Sequence, residues 1–153
     1  IDKYMLRNDF VDRWFGFRFG TVCGYSPNPR NRLLLNSMTK SALTNNHVSV
    51  TNASSFRAIL SLHDLCRAIH RTISAEDGCG IYNLATFNTS FGDIAERAST
   101  FLNVPMLCYD GQDKYSFALD TTKFQKDLNF EFIGTLESII NECKKNNFSS
   151  DRL

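Results

Sequence analysis

Apolar residues recur every three or four positions in several stretches of the chain, and this spacing predicts amphipathic helices. The clearest stripe comprises Leu62, Leu65, Cys66, Ile69 and Ile73. Ser61 and Asp64 stand at its start in the arrangement of a capping box, in which each side chain bonds the backbone of the other residue. Similar patterns predict helices within Leu33–Leu43, Phe91–Leu102, the segment from Asp120 to Leu128, and Leu136–Cys143.

Shorter apolar runs lie between these helices and predict β-strands. The first run, WFGFRFGTV, is rich in aromatic residues and too short for a buried helix, so we expect a strand that is buried on both faces. HVSVTN, IYNLAT and VPMLCYD are further predicted strands, whereas ASSFRAIL is expected to be an irregular or extended link. Strands that alternate with helices indicate an α/β fold whose core strands are mainly parallel.

Composition narrows the class of protein without identifying it. A length of 153 residues allows one domain with a substantial core. A net charge of +1 provides no general attraction for nucleic acid or anionic lipid, so we predict neither a nucleic-acid nor a membrane partner. The five cysteines are odd in number and widely spread, which favours reduced thiols and a cytoplasmic location.

For three possible reactive sites, a purely structural explanation of the residues is better supported than a chemical one. Cys23 ends a predicted buried strand, where cysteine commonly packs as a small apolar residue. Cys66 and His70 have a spacing that can chelate zinc, but no second pair of ligands of the C-x-x-C kind exists. Gly78–Gly80 precedes a strand instead of opening a helix, so the segment lacks the geometry of a phosphate-binding loop.

A basic loop is a stronger candidate for binding. Arg30 and Arg32 follow the first strand, Asn36 lies early in the next helix, and Arg57 lies in the predicted link. Arginine donates two parallel hydrogen bonds to phosphate oxygens, and a helix N-terminus adds backbone N–H groups. These residues would suit a pyrophosphate-bearing ligand, and ordinary surface arginines are the alternative.

An ordered series of segments is more specific than any single motif. RFGTVCGYSPNPRNRLLLN joins a strand, a proline-bearing loop and a helix, and GIYNLATFNTSFGDIAE, DKYSFALDTTKFQKDLNFEF and TLESIINE follow it. The series resembles the C-terminal half of the extended short-chain dehydrogenase/reductase family, the NAD-dependent nucleotide-sugar epimerases and dehydratases. The family motifs read roughly R-F-x-N/T-V-Y-G, V-Y-N-V-G-x-G-x-x-x-S-I-x-E-I-A and D-x-R-x-Y-x-x-D-x-x-K-x-x-x-x-L-G-F/W-x-P.

The chain also departs from the family pattern. Cys23 stands where tyrosine is usual. The segment TNASSFRAILSLHD keeps Arg57 and Asp64 of the family's G-D-G-x-Q-x-R-x-F-I-H-V-x-D but loses its glycines and has Ser61 for the histidine. For Asp64, Asn83 and Asp120 we favour a structural role in capping or turns.

The resemblance implies a fold, a division of the chain and a set of site residues. The fold would be the C-terminal part of a Rossmann-like α/β structure, with its last parallel strands and the smaller substrate-binding portion. Within a single unit, residues 1–24 and 78–104 would complete the sheet, and residues 25–77 and 105–153 would bind substrate. Cofactor contacts would come from Phe19, Gly20 and Val22. Substrate contacts would come from Thr21, Arg30, Asn36, Arg57 and Lys114, with Lys114 a monodentate substitute for the usual arginine.

The catalytic residues of the family are not found in this chain. The family uses Tyr-x-x-x-Lys, and no tyrosine here has lysine four positions later. In the family that lysine precedes the R-F strand by more residues than this chain has before Arg18, so we expect the dyad upstream of Ile1. IDKYMLRNDFVDRW would then continue the catalytic helix.

The resemblance therefore implies an inactive C-terminal portion of a larger enzyme. Its complete form would bind NAD or NADP mainly through the other half, act on a nucleotide sugar, and form a homodimer. The alternative is a non-catalytic scaffold or binding protein derived from the same fold, which the altered TNASSFR segment favours.

Overall fold

A computed structural model describes Asp2 and residues 13–76, 78–111 and 115–146 of the chain. Within them the strands are β1 Trp14–Phe19, β2 Thr21–Cys23, β3 Val48–Thr51, β4 Phe56–Ser61, β5 Cys79–Leu84, β6 Phe87–Ser90 and β7 Met106–Tyr109. The helices are α1 Leu34–Asn45, α2 Leu62–Ile73, α3 Phe91–Leu102, α4 Thr122–Leu128 and α5 Leu136–Lys144. The predicted helix in IDKYMLRNDFVDRW lies almost entirely outside the described residues.

Most strand pairs are parallel, which confirms the predicted α/β class. β1 pairs with β5, β2 with β4, and β3 with β7, all in parallel. The exception is β6, which runs antiparallel to β4 and places Arg57 opposite Thr89. The segment ASSFRAIL, expected to be an irregular or extended link, is extended from Phe56 onwards, because Phe56–Ser61 is the central strand of the order β2-β4-β6.

β1 and β2 are two parts of one strand that changes partner at Gly20. The Gly20 N–H donates to the carbonyl of Leu84, at 2.9 Å between nitrogen and oxygen. A Cβ at this position would lie 2.8 Å from the carbonyl oxygen of Ala58, so only glycine fits between the neighbouring backbones. Gly20 thereby lets the end of β2 extend beyond the β1–β5 pair.

Two apolar clusters form the core. The larger cluster packs α1, α3 and α5 around β3, with Leu35, Val48, Ile94 and Ile140 fully buried. The second cluster centres on the Phe124 ring, which has the rings of Tyr82, Phe130 and Phe17 around it. The prediction that the first strand is buried on both faces is wrong, because β1 is half-buried and exposed at its end.

Serine or threonine hydroxyls cap the starts of three helices. Ser90 and Asp93 form a reciprocal capping box at α3, and Thr135 caps α5 together with Ser138. At α2 the hydroxyl of Ser61 accepts the N–H of Asp64, but the Asp64 carboxylate bonds elsewhere. The α2 helix itself is confirmed, yet most of its apolar stripe is exposed, and its buried residues are Asp64, Ala68 and Thr72.

Candidate functional site

The first strand region and the basic loop that follows it meet at Gly24. Its φ of 151° is in the region that favours glycine, and a Cβ there would lie 2.9 Å from the Cβ of Leu62. The backbone therefore turns sharply where β2 ends, close to the start of α2. This turn separates the strand from the basic loop and opens a cleft between them.

The cleft has a volume of about 740 Å³ and collects most of the predicted site residues. Its walls are the end of β1, all of β2, the loop that follows, and the beginnings of α1 and α2. Six of the eight predicted residues line it: Phe19, Gly20, Thr21, Val22, Arg30 and Asn36. Residues of the cofactor set and of the substrate set thus face one space.

Asn36 and the basic loop are held by specific hydrogen bonds. Asn36 is 4% exposed; its amide nitrogen donates to the carbonyl of Arg30 at 3.1 Å, and the Cys143 thiol donates to its amide oxygen at 3.2 Å. The N–H of Ser26 donates to the side-chain oxygen of Asn146 at 2.7 Å. Asn36 therefore fixes the backbone of the loop, while the Arg30 side chain stays exposed at the cleft.

The N-terminus of α1 lies at the same cleft. Its N-cap residue, Leu33, makes no side-chain capping bond, and the first turn carries no acidic residue. A helix start of this kind presents unpaired backbone N–H groups and a partial positive charge. Together with the Arg30 guanidinium, it provides donors suited to phosphate oxygens.

The two remaining predicted residues are not part of this wall. Arg57 lies on β4 between two aromatic rings, with its guanidinium carbon 4.9 Å from the ring centre of Phe117 and 5.2 Å from that of Phe91. It is not among the residues that line the cleft. Lys114 lies outside the described residues. The structure therefore brings Arg30 and Asn36 together but not Arg57 with them.

Asp64 has the structural role expected for it. Its side chain is fully buried, and its carboxylate accepts from the N–H groups of Ile133 and Gly134 at 3.2 and 3.0 Å and from the Thr86 hydroxyl at 2.9 Å. Arg67 adds an ion pair at 2.9 Å. Burial alone would raise the pKa of Asp64, but these hydrogen bonds outweigh it and lower the pKa below its ordinary value.

Asn83 and Asp120 also make structural contacts with the backbone. The Asn83 amide donates to the carbonyl of Asp120 at 2.9 Å, and the Asp120 carboxylate accepts the N–H of Thr122 at the start of α4. Both contacts order the backbone at one end of β5 and α4. Asp120 therefore makes a turn at the start of α4, as expected, whereas Asn83 bonds a backbone carbonyl distant in sequence and does not cap a helix or make a turn.

The cysteines nearest the cleft are poorly suited to nucleophilic chemistry. Burial raises the pKa of the Cys23 thiol far above its usual range, and the nearby Cys143 raises it further. Burial likewise raises the pKa of Cys143 to about 11. Both thiols remain protonated near neutral pH, in agreement with the interpretation of Cys23 as a packing residue. Among the described residues, no group of three or more His, Cys, Asp or Glu side chains is arranged to hold a metal ion.

Sequence reasoning missed residues that link this cleft to a second one. Tyr25 and Leu62 line the first cleft and also an adjoining cavity of about 490 Å³ between α2 and α5. The Tyr25 side chain is 43% exposed and could contact a ligand in either space. Its position directly after Gly24 was the available signal.

Within the described residues, no helix is both long enough and apolar enough to cross a bilayer.

No protein-family model and no curated protein sequence matches the chain. Solved structures do match, and all of those compared below are sugar-nucleotide enzymes by their names. The epimerase of ADP-L-glycero-D-manno-heptose from Helicobacter pylori superposes with a TM-score of 0.76 at 17% identity, over 92% of this chain and 46% of its own.

Two further structures give the same result. The dTDP-glucose 4,6-dehydratase of Bacillus anthracis, solved with NAD, has a TM-score of 0.69 at 18% identity, over 86% of this chain and 43% of its own. The UDP-glucose 4-epimerase of Bifidobacterium longum, solved with NAD+ and UDP, has a TM-score of 0.68 at 16% identity, over 85% and 46%.

These matches establish the fold. The chain has the fold of part of the extended short-chain dehydrogenase/reductase enzymes, as the resemblance predicted. It spans about half the length of the structures that it matches. Its strands and helices thus correspond to one portion of that Rossmann-like fold.

Proposed function

We propose that the chain is the nucleotide-sugar-binding portion of an NAD(P)-dependent nucleotide-sugar epimerase or dehydratase. The observation that supports this most is the cleft at the end of β2, which contains six of the eight residues expected from the sequence. Solved structures that share the fold hold NAD or NADPH, and one of them holds UDP. By analogy with those enzymes we infer both kinds of ligand, NAD(P) and a nucleotide sugar, for this chain.

Arg30 and the start of α1 would hold the phosphate end of the nucleotide. The exposed guanidinium offers a planar set of donors, and the uncapped helix offers backbone N–H groups beside it. Asn36 would act by keeping the Arg30 backbone in place. The hydroxyl of Thr21, on the facing strand, would donate a hydrogen bond to the sugar.

Phe19, Gly20 and Val22 fit one end of a dinucleotide. The Phe19 side chain is 47% exposed at the cleft and offers a flat apolar surface to a nicotinamide ring. Because Gly20 has no side chain, the Phe19 ring stays open to the adjoining part of the cleft. A bound NAD(P) would supply the hydride acceptor and donor. The rest of the cofactor would be held by the half of the fold that this chain does not match.

The proton acceptor for that chemistry is expected outside this chain, because no tyrosine here is followed by lysine at the fourth position. We therefore expect the chain alone to be inactive. Arg57 and Lys114 remain candidates for the diphosphate; Arg57 would have to leave its two rings to reach a ligand in the cleft. A cytoplasmic homodimer is the expected state of the complete enzyme.

A non-catalytic binding protein of the same fold is the second candidate. The commitment of Arg57 to aromatic packing and the altered TNASSFR segment favour it. Such a protein would use the same cleft without hydride transfer. The two candidates differ in whether the protein purified from its source interconverts or dehydrates a nucleotide sugar in the presence of NAD(P).

Calorimetric titration of UDP and dTDP into the chain tests the binding site common to both candidates. We expect Arg30→Gln to weaken binding about tenfold, since charge-assisted bonds to phosphate would be lost. Arg32→Gln is the matched control, because Arg32 is exposed two positions away and does not line the cleft. Equal affinities for the two variants would remove Arg30 from the site.

A further inference from the structure

The cavity between α2 and α5 is a second space that the proposed function does not use. Its volume of about 490 Å³ is in the range of small-molecule sites. It adjoins the 740 Å³ cleft, because Gly24, Tyr25 and Leu62 line both spaces. Arg30 and Asn36 line only the cleft. The second cavity therefore has a lining of its own, without the donors that suit phosphate.

Apolar side chains from three separate segments converge on this cavity. Tyr25 follows β2, Leu62 begins α2, and Ile133 precedes α5. These three residues are 43%, 38% and 53% exposed, and the buried Ile139 of α5 completes the apolar wall. A single exposed apolar residue is ordinary on a protein surface. Three that meet around one concave space leave apolar area in water that a ligand can cover.

The charged group at this cavity is a carboxylate. Of the described residues that line it, Glu142 is the one with a formal charge at pH 7, with histidine counted as neutral. Glu142 pairs with Lys145, but their side chains are 46% and 61% exposed, and exposed ion pairs are weak. A cationic ligand can therefore compete for the carboxylate. The Tyr25 ring adds a second attraction, because the face of an aromatic ring attracts cations.

The apolar wall and the carboxylate together select one class of small molecule. A sugar would place its hydroxyl groups against apolar side chains, at a cost in lost hydrogen bonds to water. A carboxylate or phosphate ligand would be repelled by Glu142. A primary amine with an aromatic or branched aliphatic group matches both parts of the lining. Its apolar body would lie against Leu62 and Ile133, and its ammonium group beside Glu142.

We propose that the cavity between α2 and α5 is a binding site for a small hydrophobic primary amine. The site goes beyond the proposed function and does not depend on it, because it shares no phosphate donor with the cleft. The Glu142 carboxylate would accept a hydrogen bond from the ammonium group. The Tyr25 ring would cover the apolar body on the side that faces the cleft.

Titration of phenethylamine into the ¹⁵N-labelled chain, followed by NMR, tests the site without any nucleotide. We expect saturable shifts of the backbone N–H signals of Tyr25, His63 and Gly134, which line the cavity. The neutral probe 2-phenylethanol, of similar shape, should bind about fivefold more weakly, and the anion 3-phenylpropionate more weakly still. No saturable shift at these three residues, or equal affinities for the amine and the alcohol, would overturn the proposal.

Two variants test the wall and the charge separately. Ile133→Lys places a cation at an exposed position on the wall and should weaken phenethylamine binding about tenfold. Ile73→Lys is the matched control, because Ile73 is 68% exposed at the end of α2 and does not line the cavity. Its affinity for phenethylamine should equal that of the original chain. The NMR spectrum of each variant shows directly that it is folded.

Glu142→Gln should remove the preference for the amine and leave the affinity for 2-phenylethanol unchanged. A purely structural effect of this substitution would weaken both probes alike. Full affinity for phenethylamine in Ile133→Lys would contradict the proposed wall. A preference for the amine that persists in Glu142→Gln would contradict the role of the carboxylate.

Discussion

The Asp64 corner, where the buried carboxylate of Asp64 joins the start of α2 to Gly134, and the Arg30 loop, residues 25–32, use charge in opposite ways. Asp64 is buried, and its carboxylate oxygens are bonded by Arg67 of the same helix and by residues of two other segments. Arg30 is exposed at the cleft wall, and its backbone, held by Asn36, is the part that is bonded. Both residues lie in segments in which the sequence resembles the extended short-chain dehydrogenase/reductase family.

The difference separates a residue that builds the site from one that can serve a ligand. A carboxylate with all its acceptor positions filled by the protein has little capacity for further bonds. A guanidinium at an open cleft beside an uncapped helix keeps its donors available. Changes at the Asp64 corner should therefore alter folding, and changes at the Arg30 loop should alter binding.

The largest effect is expected at Asp64. Asp64→Asn replaces one acceptor oxygen with an NH2 group that faces N–H and O–H donors, and it leaves Arg67 without its ion pair. We expect the free energy of unfolding to fall by about 3 kcal/mol. Urea denaturation measures it, with Asp93→Asn at the exposed α3 cap as the control that should lose much less. Equal losses would contradict the structural role of the buried network.

The Gly24 turn should be the next most sensitive position. Gly24→Ala forces a side chain into a backbone conformation with φ of 151° and against Leu62. We expect a loss of about 2 kcal/mol in the free energy of unfolding, together with weaker UDP binding. Gly16→Ala is the control, because its Cβ would meet Trp14 at an ordinary 3.4 Å. A stable Gly24→Ala protein would mean that the turn can change shape.

Arg57 provides the sharpest contrast with Arg30. Arg57→Met keeps an apolar chain between Phe91 and Phe117 but removes the positive charge, and should cost about 1 kcal/mol of stability. Arg30→Gln should leave the urea midpoint unchanged while it weakens UDP binding. If Arg57→Met weakens UDP binding as much as Arg30→Gln does, then Arg57 reaches the ligand, as the family motif implies.

Periodicity predicted the helices well, because a stripe of apolar residues over three turns depends on local geometry. The cap at Ser61 was readable for the same reason. β4 was predicted only as a link because FRAILS has a charged residue at its second position and follows a polar loop, so its strand character depends on its neighbours β2 and β6. β6 was missed because FNTS is largely polar and leads into a cap.

The candidate site was predictable in part. The loop and the strand that form the cleft are contiguous in sequence, so Phe19 to Val22, Arg30 and Asn36 could be expected to share it. The position of Arg57 could not, because its guanidinium is placed by rings from α3 and from the segment after β7. For α2 the pattern identified an apolar face but carried no information that most of this face is exposed while Asp64, Ala68 and Thr72 are buried.

The smallest expected effect is a change in acid sensitivity. The pKa of Asp64 is lower in the folded chain than in the unfolded one, so the unfolded chain binds the proton more readily. The stability from Asp64 is complete above the unfolded pKa of about 3.9 and is lost as the pH falls through the folded value. Circular dichroism during acid titration should show a shallower decline for Asp64→Asn. An identical decline would contradict the lowered pKa.

A crystal structure of the chain with UDP tests the central claim most directly. The account predicts a diphosphate between the Arg30 guanidinium and the first backbone N–H groups of α1, in the cleft beside Thr21 and Asn36. A well-ordered UDP bound elsewhere on the chain, with this cleft free of ligand, would contradict it.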